Sequence, residues 1–177
     1  MVSHGIIVFD ALKNKDITDQ RSLLNVLKQV MKRYSVFDYM IVQGFIEQEI
    51  KYLPSPYKED LRSKLNEQLF YTFKEICNSN ILQNKSLNIE DYYYFLEYFQ
   101  SVIKNPAGEI QMDFHIFYNL CAAYNLFITK TPVHPVGTPF PGGFRVEMKN
   151  EEYFCPVKDK QKDVFEALCK FCIAKQA

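Results

Sequence analysis

The chain has 177 residues and a mass of 20.9 kDa, which is the size of a single domain. Its 21 basic residues balance 21 acidic residues, so the formal net charge is zero. This balance argues against nucleic-acid-binding proteins and proteins of anionic membrane surfaces, which normally carry a basic excess. With 47% hydrophobic and 24% charged residues, the composition also excludes disorder over most of the chain.

Residues 1–130 are nearly free of Gly and Pro, and their apolar positions recur every three or four residues. This spacing predicts a mainly α-helical protein with a bundle of about five helices. We expect Thr18, Ser35, Ser55 and Asn88 to cap the first four helices. The fifth, from about Glu109 to Ile128, is apolar on every side, which is typical of the helix that the others surround.

Residues 131–177 have a different character and form the second part of a single domain that spans residues 1–177. A segment rich in Pro and Gly predicts an extended loop, and the alternation in 144–148 and 152–155 predicts a short β-hairpin. Asp163 is expected to cap a final helix from about Val164 to Lys175. Because a lone hairpin is marginally stable in water, something should fasten this C-terminal subregion.

Three cysteines and a histidine in this subregion are typical of a metal site. His134, Cys155, Cys169 and Cys172 follow the pattern His-x20-Cys-x13-Cys-x2-Cys. A Cys-x2-Cys pair can share one tetrahedral ion, and a distant Cys and His complete the Cys3His set of a structural zinc site. Five lysines, among them Lys158, would offset the net negative charge of that set.

Two alternatives remain open at this stage. A [4Fe–4S] cluster needs about four cysteines, and Cys121 on the fifth predicted helix is an alternative fourth ligand to His134. Separately, the backbone N–H groups of Gly142 and Gly143, with Arg145 beside them, can bind an anion. The simpler interpretation is that these glycines only let the loop turn.

The tail sequences HPVGTPFPGGFRV, YFCPVKDKQKD and ALCKFCIAKQ resemble the C-terminal signature of an uncharacterised protein family of methanogenic archaea. The family has no established activity to transfer. The resemblance implies a strictly anaerobic, cytoplasmic setting, which favours iron–sulfur chemistry relative to zinc.

Two functions therefore compete. The first is a cytoplasmic binding or assembly module with a structural zinc ion, which acts through a protein partner and binds neither membrane nor nucleic acid. The second is an iron–sulfur protein with a redox or enzymatic role in anaerobic metabolism, in which His134 can act as an acid or base. The sequence does not decide whether the protein is an enzyme.

Overall fold

A computed structural model describes residues 4–104, 109–164 and 167–177. Within these ranges the protein is mainly helical, with a small three-stranded sheet in the order β1-β2-β3. None of the helices described is long and apolar enough to cross a bilayer. The helices are α1 (His4–Leu12), α2 (Gln20–Met31), α3 (Val36–Glu49), α4 (Tyr57–Asn78), α5 (Ile89–Lys104), α6 (Glu109–Ala123) and α7 (Lys158–Gln161). The strands are β1 (Glu147–Lys149), β2 (Glu152–Cys155) and β3 (Lys175–Gln176).

Helix α6 forms the centre of the bundle, as its sequence predicts. It packs against α1, α3, α4 and α5. Ile116, Phe117 and Leu120 on this helix are completely buried. The ring of Phe117 contacts Tyr34, with ring centroids 5.3 Å apart, and Phe73, with centroids 5.7 Å apart. One aromatic side chain of α6 therefore joins α4 to the segment between α2 and α3.

The number of helices predicted from sequence is too small, because the prediction missed α1 and α7. The apolar run of α1 is only four residues long, too short for its periodicity to be recognised. In the structure, Val8 and Leu12 are buried and the helix packs against α5. Tertiary packing thus stabilises a helix whose local signal is weak.

The predicted helix caps are correct in part. Ser35 caps α3, where its side chain and that of Asp38 form a reciprocal capping box. Asp19 rather than Thr18 caps α2, by accepting a hydrogen bond of 2.8 Å from the backbone N–H of Ser22. Ser55 does not cap α4; its hydroxyl donates to the carboxylate of Glu59.

At the start of α5, the side chain of Asn88 accepts a hydrogen bond of 3.4 Å from the backbone N–H of Asp91, as the cap prediction requires. The expected end of this helix at Asn105-Pro106 lies outside the described residues.

The central helix changes its winding before it ends. After α6, residues Tyr124–Thr129 form a π-helical turn that ends at Lys130 in a left-handed conformation. The buried amide of Gln20 donates hydrogen bonds of 3.0 Å and 2.9 Å to the carbonyls of Phe127 and Ile128. The first residue of α2 therefore satisfies carbonyl groups that the end of this turn leaves without a helical partner.

The C-terminal subregion contains the predicted hairpin, β1 and β2, in antiparallel pairing. The predicted final helix over 164–175 is wrong, although its residues 165 and 166 lie outside the described part of the chain. A short 3-10 turn (Leu168–Lys170) is followed by β3, which pairs in parallel with β2. The turn directs Leu168 and Phe171, three residues apart, towards the bundle, and this packing overrides the helical pattern.

The burial of Phe117 predicts a large effect on stability. Phe117→Ala should lower the free energy of unfolding by about 3–5 kcal/mol, because it leaves a cavity between tightly packed rings. Urea unfolding followed by circular dichroism measures this change. Leu82→Ala is the control, since Leu82 is 93% exposed and its loss should change stability by less than about 0.5 kcal/mol. An equal effect of both variants would contradict the proposed core.

The capping box of α2 predicts a pH-dependent contribution. The hydrogen bond from the Ser22 backbone lowers the pKa of Asp19 below its usual value of 3.8. Its contribution is therefore complete well above pH 3.8 and is lost as the pH falls through the lowered pKa. Asp19→Ala should cost about 0.5–2 kcal/mol at neutral pH. The difference from wild type should shrink in acid; a constant difference would exclude the charged cap.

Candidate functional site

A cavity of about 420 Å³ lies between the helical bundle and the C-terminal subregion. Its wall is mainly apolar, with a few polar groups that converge on it, which is the usual character of a ligand or metal site. The lining residues are Tyr118, Pro132, Val133, His134, Phe140, Pro141, Val146, Cys155, Val157, Lys158, Gln161, Ala167, Leu168, Cys169, Cys172 and Ala174.

The four residues predicted from sequence as metal ligands all line this one cavity. His134 comes from the loop after the π-helical turn, and Cys155 is the last residue of β2. Cys169 lies within the 3-10 turn, and Cys172 follows it. The fold therefore brings together four groups from three separate segments of the chain.

The local conformation of the turn keeps the backbone of Cys169 close to that of Cys172. The backbone N–H of Cys172 donates to the carbonyls of Leu168 and Cys169, both at 3.1 Å. Phe171 anchors the turn, because its ring packs against Tyr94 and Phe95 on α5, with centroids 5.0 Å and 5.5 Å away. A tight turn thus replaces the predicted helix without separating the Cys-x2-Cys pair.

The surroundings of Cys155 and Cys169 favour the protonated form of their thiols. Burial is the main cause that raises the pKa of the Cys169 thiol to about 11; the neighbouring Cys155 and Cys172 contribute to the rise, and Lys158 opposes it. Burial also raises the pKa of Cys155 and lowers that of His134. The apolar wall of the cavity therefore disfavours charge on all three groups.

These groups converge without forming a finished coordination shell. Among the residues that the structure describes, no group of three or more His, Cys, Asp or Glu side chains is arranged so that it could hold a metal ion. The four donors are of the types that zinc prefers, so the set fits zinc by its chemistry. Binding an ion would require the side chains to move towards one point in the cavity.

Lys158 has a role in the site that the sequence did not predict beyond its charge. Its ammonium group donates to the carbonyl of Cys169 and, at 2.5 Å, to the carbonyl of Cys172. It thereby joins α7 to the turn that carries both cysteines. Its position three residues after Cys155, inside the YFCPVKDKQKD motif, is the signal that could have identified it.

Cys121, the alternative fourth ligand, is placed differently. It is buried in α6, and burial strongly raises its pKa, with Cys77 as the neighbouring thiol. Cys121 does not line the cavity that contains Cys155, Cys169 and Cys172.

The candidate anion site also has a structural role. The Arg145 guanidinium binds the Asp60 carboxylate at 2.5 Å and donates to the carbonyl of Gly137 at 2.9 Å. Gly142 and Gly143 have φ values of 87° and 82°, which suit a turn. Arg145 therefore attaches the loop to α4, and it lines one pocket together with Gly142 and Gly143.

Comparison with known proteins identifies the family. The family model described as "Uncharacterized protein conserved in archaea (DUF2115)" matches residues 19–177. The chain belongs to the DUF2115 family. This confirms the resemblance found in the tail sequences. The DUF2115 match also covers most of the helical bundle and not the tail alone.

Curated relatives come from methanogens. A UPF0305 protein of Methanocaldococcus jannaschii is 32% identical over 157 residues, which cover 88% of this chain and 94% of the relative. One from Methanothermobacter thermautotrophicus is 27% identical over 89% of this chain and 96% of its own length. One from Methanococcus maripaludis is 31% identical, with 89% and 96% covered. No solved structure matches the chain.

The bonds of Lys158 predict that it stabilises the turn locally. Lys158→Met should destabilise the C-terminal subregion by about 1–3 kcal/mol, because two carbonyl groups lose a charged donor. Hydrogen exchange measured by mass spectrometry should accelerate over residues 167–177 and stay unchanged in α6. Lys160→Met is the matched control, since Lys160 is exposed on the same short helix. Equal exchange in both variants would contradict this role.

Proposed function

We propose that this DUF2115 protein is a binding or assembly module whose C-terminal subregion is held by a structural zinc ion. The ligands would be Cys155, Cys169, Cys172 and His134. The observation that supports the proposal is the convergence of these four side chains on one cavity. Once bound, zinc would supply a cross-link between the loop, β2 and the Cys-x2-Cys turn.

The elements that carry the ligands are short, so a small adjustment can bring the donors together. His134 lies in a loop, Cys155 at a strand end, and Cys169 and Cys172 in a turn of about one winding. None of the four lies inside a long helix of the bundle. Closure on an ion would therefore leave the packing of α1–α6 intact.

Charge and solvation of the cavity agree with a thiolate-bound ion. Three thiolates and one neutral imidazole around Zn²⁺ carry a net charge of about −1. Lys158 lines the same cavity and would offset that charge. In the absence of an ion, burial keeps the pKa of Cys155 and Cys169 high, so binding would release protons from these thiols.

A closed set of four protein ligands favours a structural role over a catalytic one. Catalytic zinc sites keep one coordination position for water or substrate, whereas Cys3His fills all four. The iron–sulfur alternative would use Cys121 as a fourth thiolate, but that residue lies away from the cavity. The convergence on the cavity therefore supports zinc over a four-cysteine cluster.

Metal analysis of protein purified without oxygen tests the proposal. Wild type should contain about one equivalent of zinc, and Cys169→Ser and Cys172→Ser should lose it, because three ligands remain. Cys77→Ser is the matched control, since Cys77 is a half-buried thiol outside the cavity and should not affect zinc content. Chelation should accelerate hydrogen exchange over residues 131–164 while the bundle stays protected.

Other results of the same metal analysis would indicate an iron–sulfur cluster in place of zinc, or a protein that binds no metal. Stoichiometric iron with visible absorbance, lost in Cys121→Ser, would replace zinc by an iron–sulfur cluster. Wild-type protein that binds neither metal, with Cys169→Ser of equal stability, would contradict a metal role for the cavity.

A further inference from the structure

An apolar stripe on α3 faces away from the bundle. Phe37, Met40 and Ile41 are 78%, 57% and 42% exposed. Gly44 lies on the same line, because positions i, i+3, i+4 and i+7 share one helix face. We call Phe37, Met40, Ile41 and Gly44 the α3 stripe. The stripe carries no charged residue, which is unusual for the outer face of a surface helix.

No contact within one copy of the chain explains why position 44 of α3 is a glycine. A glycine in a helix interior is less favourable than alanine because it adds backbone freedom to the unfolded chain. A Cβ atom at Gly44 would meet nothing within 4 Å, so no neighbouring atom requires its absence. A missing side chain on an exposed helix face does, however, allow a second backbone or a large side chain to approach closely.

We propose that the protein forms a two-fold symmetric homodimer through the α3 stripe, with the two α3 helices antiparallel. In this register Phe37 of one protomer lies over Gly44 of the partner subunit, and Met40 lies opposite Ile41 of the partner subunit. Two-fold symmetry requires each pair to occur twice, once on either side of the axis. Both pairs meet this requirement, because positions 37 and 44 and positions 40 and 41 are centred on the same point of the helix. The largest side chain of the stripe is thus matched with the residue that has none.

The charges at the two ends of α3 support the antiparallel orientation. Lys32 and Arg33 precede the helix, and Asp38 in its first turn is used in the cap with Ser35. At the other end, Glu47 is paired with Arg62 of the same copy, so the exposed Glu49 is the acidic group that faces solvent. Antiparallel packing would place the basic end of one copy beside the acidic end of the other, and it would also oppose the two helix dipoles. Lys51 is a basic residue that follows the acidic end of α3, and its ammonium group lies 4.7 Å from the centre of the Tyr52 ring.

The exposed area is sufficient for a specific but modest interface. Val36, which is 73% exposed, adds apolar surface on one flank. On the other flank, Phe45 of α3 stacks on Phe114 of α6 with centroids 4.5 Å apart. Covering this surface in two copies would bury roughly 1,000 Å² in total, near the lower limit for specific interfaces, so the dimer should dissociate on dilution.

Sedimentation velocity of the full chain over a range of concentrations tests the proposal, with a reductant present so that thiols cannot cross-link the copies. Wild type should shift from monomer to dimer as concentration rises. Gly44→Gln should weaken association by roughly tenfold or more, because a long side chain would fill the space for Phe37 of the partner subunit. The same variant should keep or raise the melting temperature, since Gln is a better helix former than Gly.

Two further variants guard against a general effect on folding or solubility. Phe37→Ser should weaken association to a similar extent without lowering the melting temperature, because the side chain is exposed in one copy. Leu82→Ser, at a 93% exposed position far along the chain from α3, should leave association unchanged.

Three outcomes would overturn the proposal. They are a wild type that stays monomeric at the highest concentration, a dimer that forms equally well in Gly44→Gln, and a monomer that binds phosphatidylcholine vesicles through Phe37. The last would assign the stripe to a lipid surface. Because the stripe and the cysteine cavity share no residue, either proposal can fail without the other.

Discussion

The C-terminal subregion depends on its attachment to the helical bundle. Among the residues that the structure describes, its own buried apolar cluster consists of Val146, Cys155 and Ala174, with a few half-buried side chains packed against them. This is too little to stabilise a three-stranded sheet of this size. Phe171 provides the main attachment, because its ring fits among the aromatic side chains of α5. The Arg145–Asp60 ion pair ties the loop to α4 at the surface, where such pairs contribute little.

The cysteine cavity forms where these attachments leave space. The turn that carries Cys169 and Cys172 approaches the bundle through Phe171, and β3 returns to pair with β2 beside Cys155. The thiols are thus placed by packing that does not itself require a metal. A bound ion would add a cross-link beside the small apolar cluster of the subregion, which makes a structural role physically reasonable.

Much of the bundle could be predicted from the sequence, since long periodic segments specify their helices strongly. The central position of α6 and the cap at Ser35 follow directly from local patterns. The final helix could not be predicted correctly, because the spacing of Leu168, Phe171 and Cys172 suits a helix as well as a 3-10 turn. Packing of Phe171 on α5 and pairing of β3 with β2, both distant in sequence, decided between them.

The candidate site shows the same division between local and distant information. Its four proposed ligands could be selected because Cys and His at such spacing are chemically distinctive. The bonds of Lys158 to the turn could not be foreseen, since they depend on how α7 is placed against residues 169–172. The engagement of Arg145 by Asp60 likewise joins residues 85 positions apart.

The π-helical turn at Tyr124–Thr129 makes the length of the chain critical at one point. A π turn holds about one residue more than an α turn, so the same six residues wound as a regular α-helix would turn further around the axis. Everything that follows would then rotate by about 100° around the helix axis. The carbonyls that Gln20 binds would turn away, and His134 would leave the cavity wall. A relative that winds this segment as a regular α-helix should therefore be one residue shorter within it, so that the residues that follow keep their orientation.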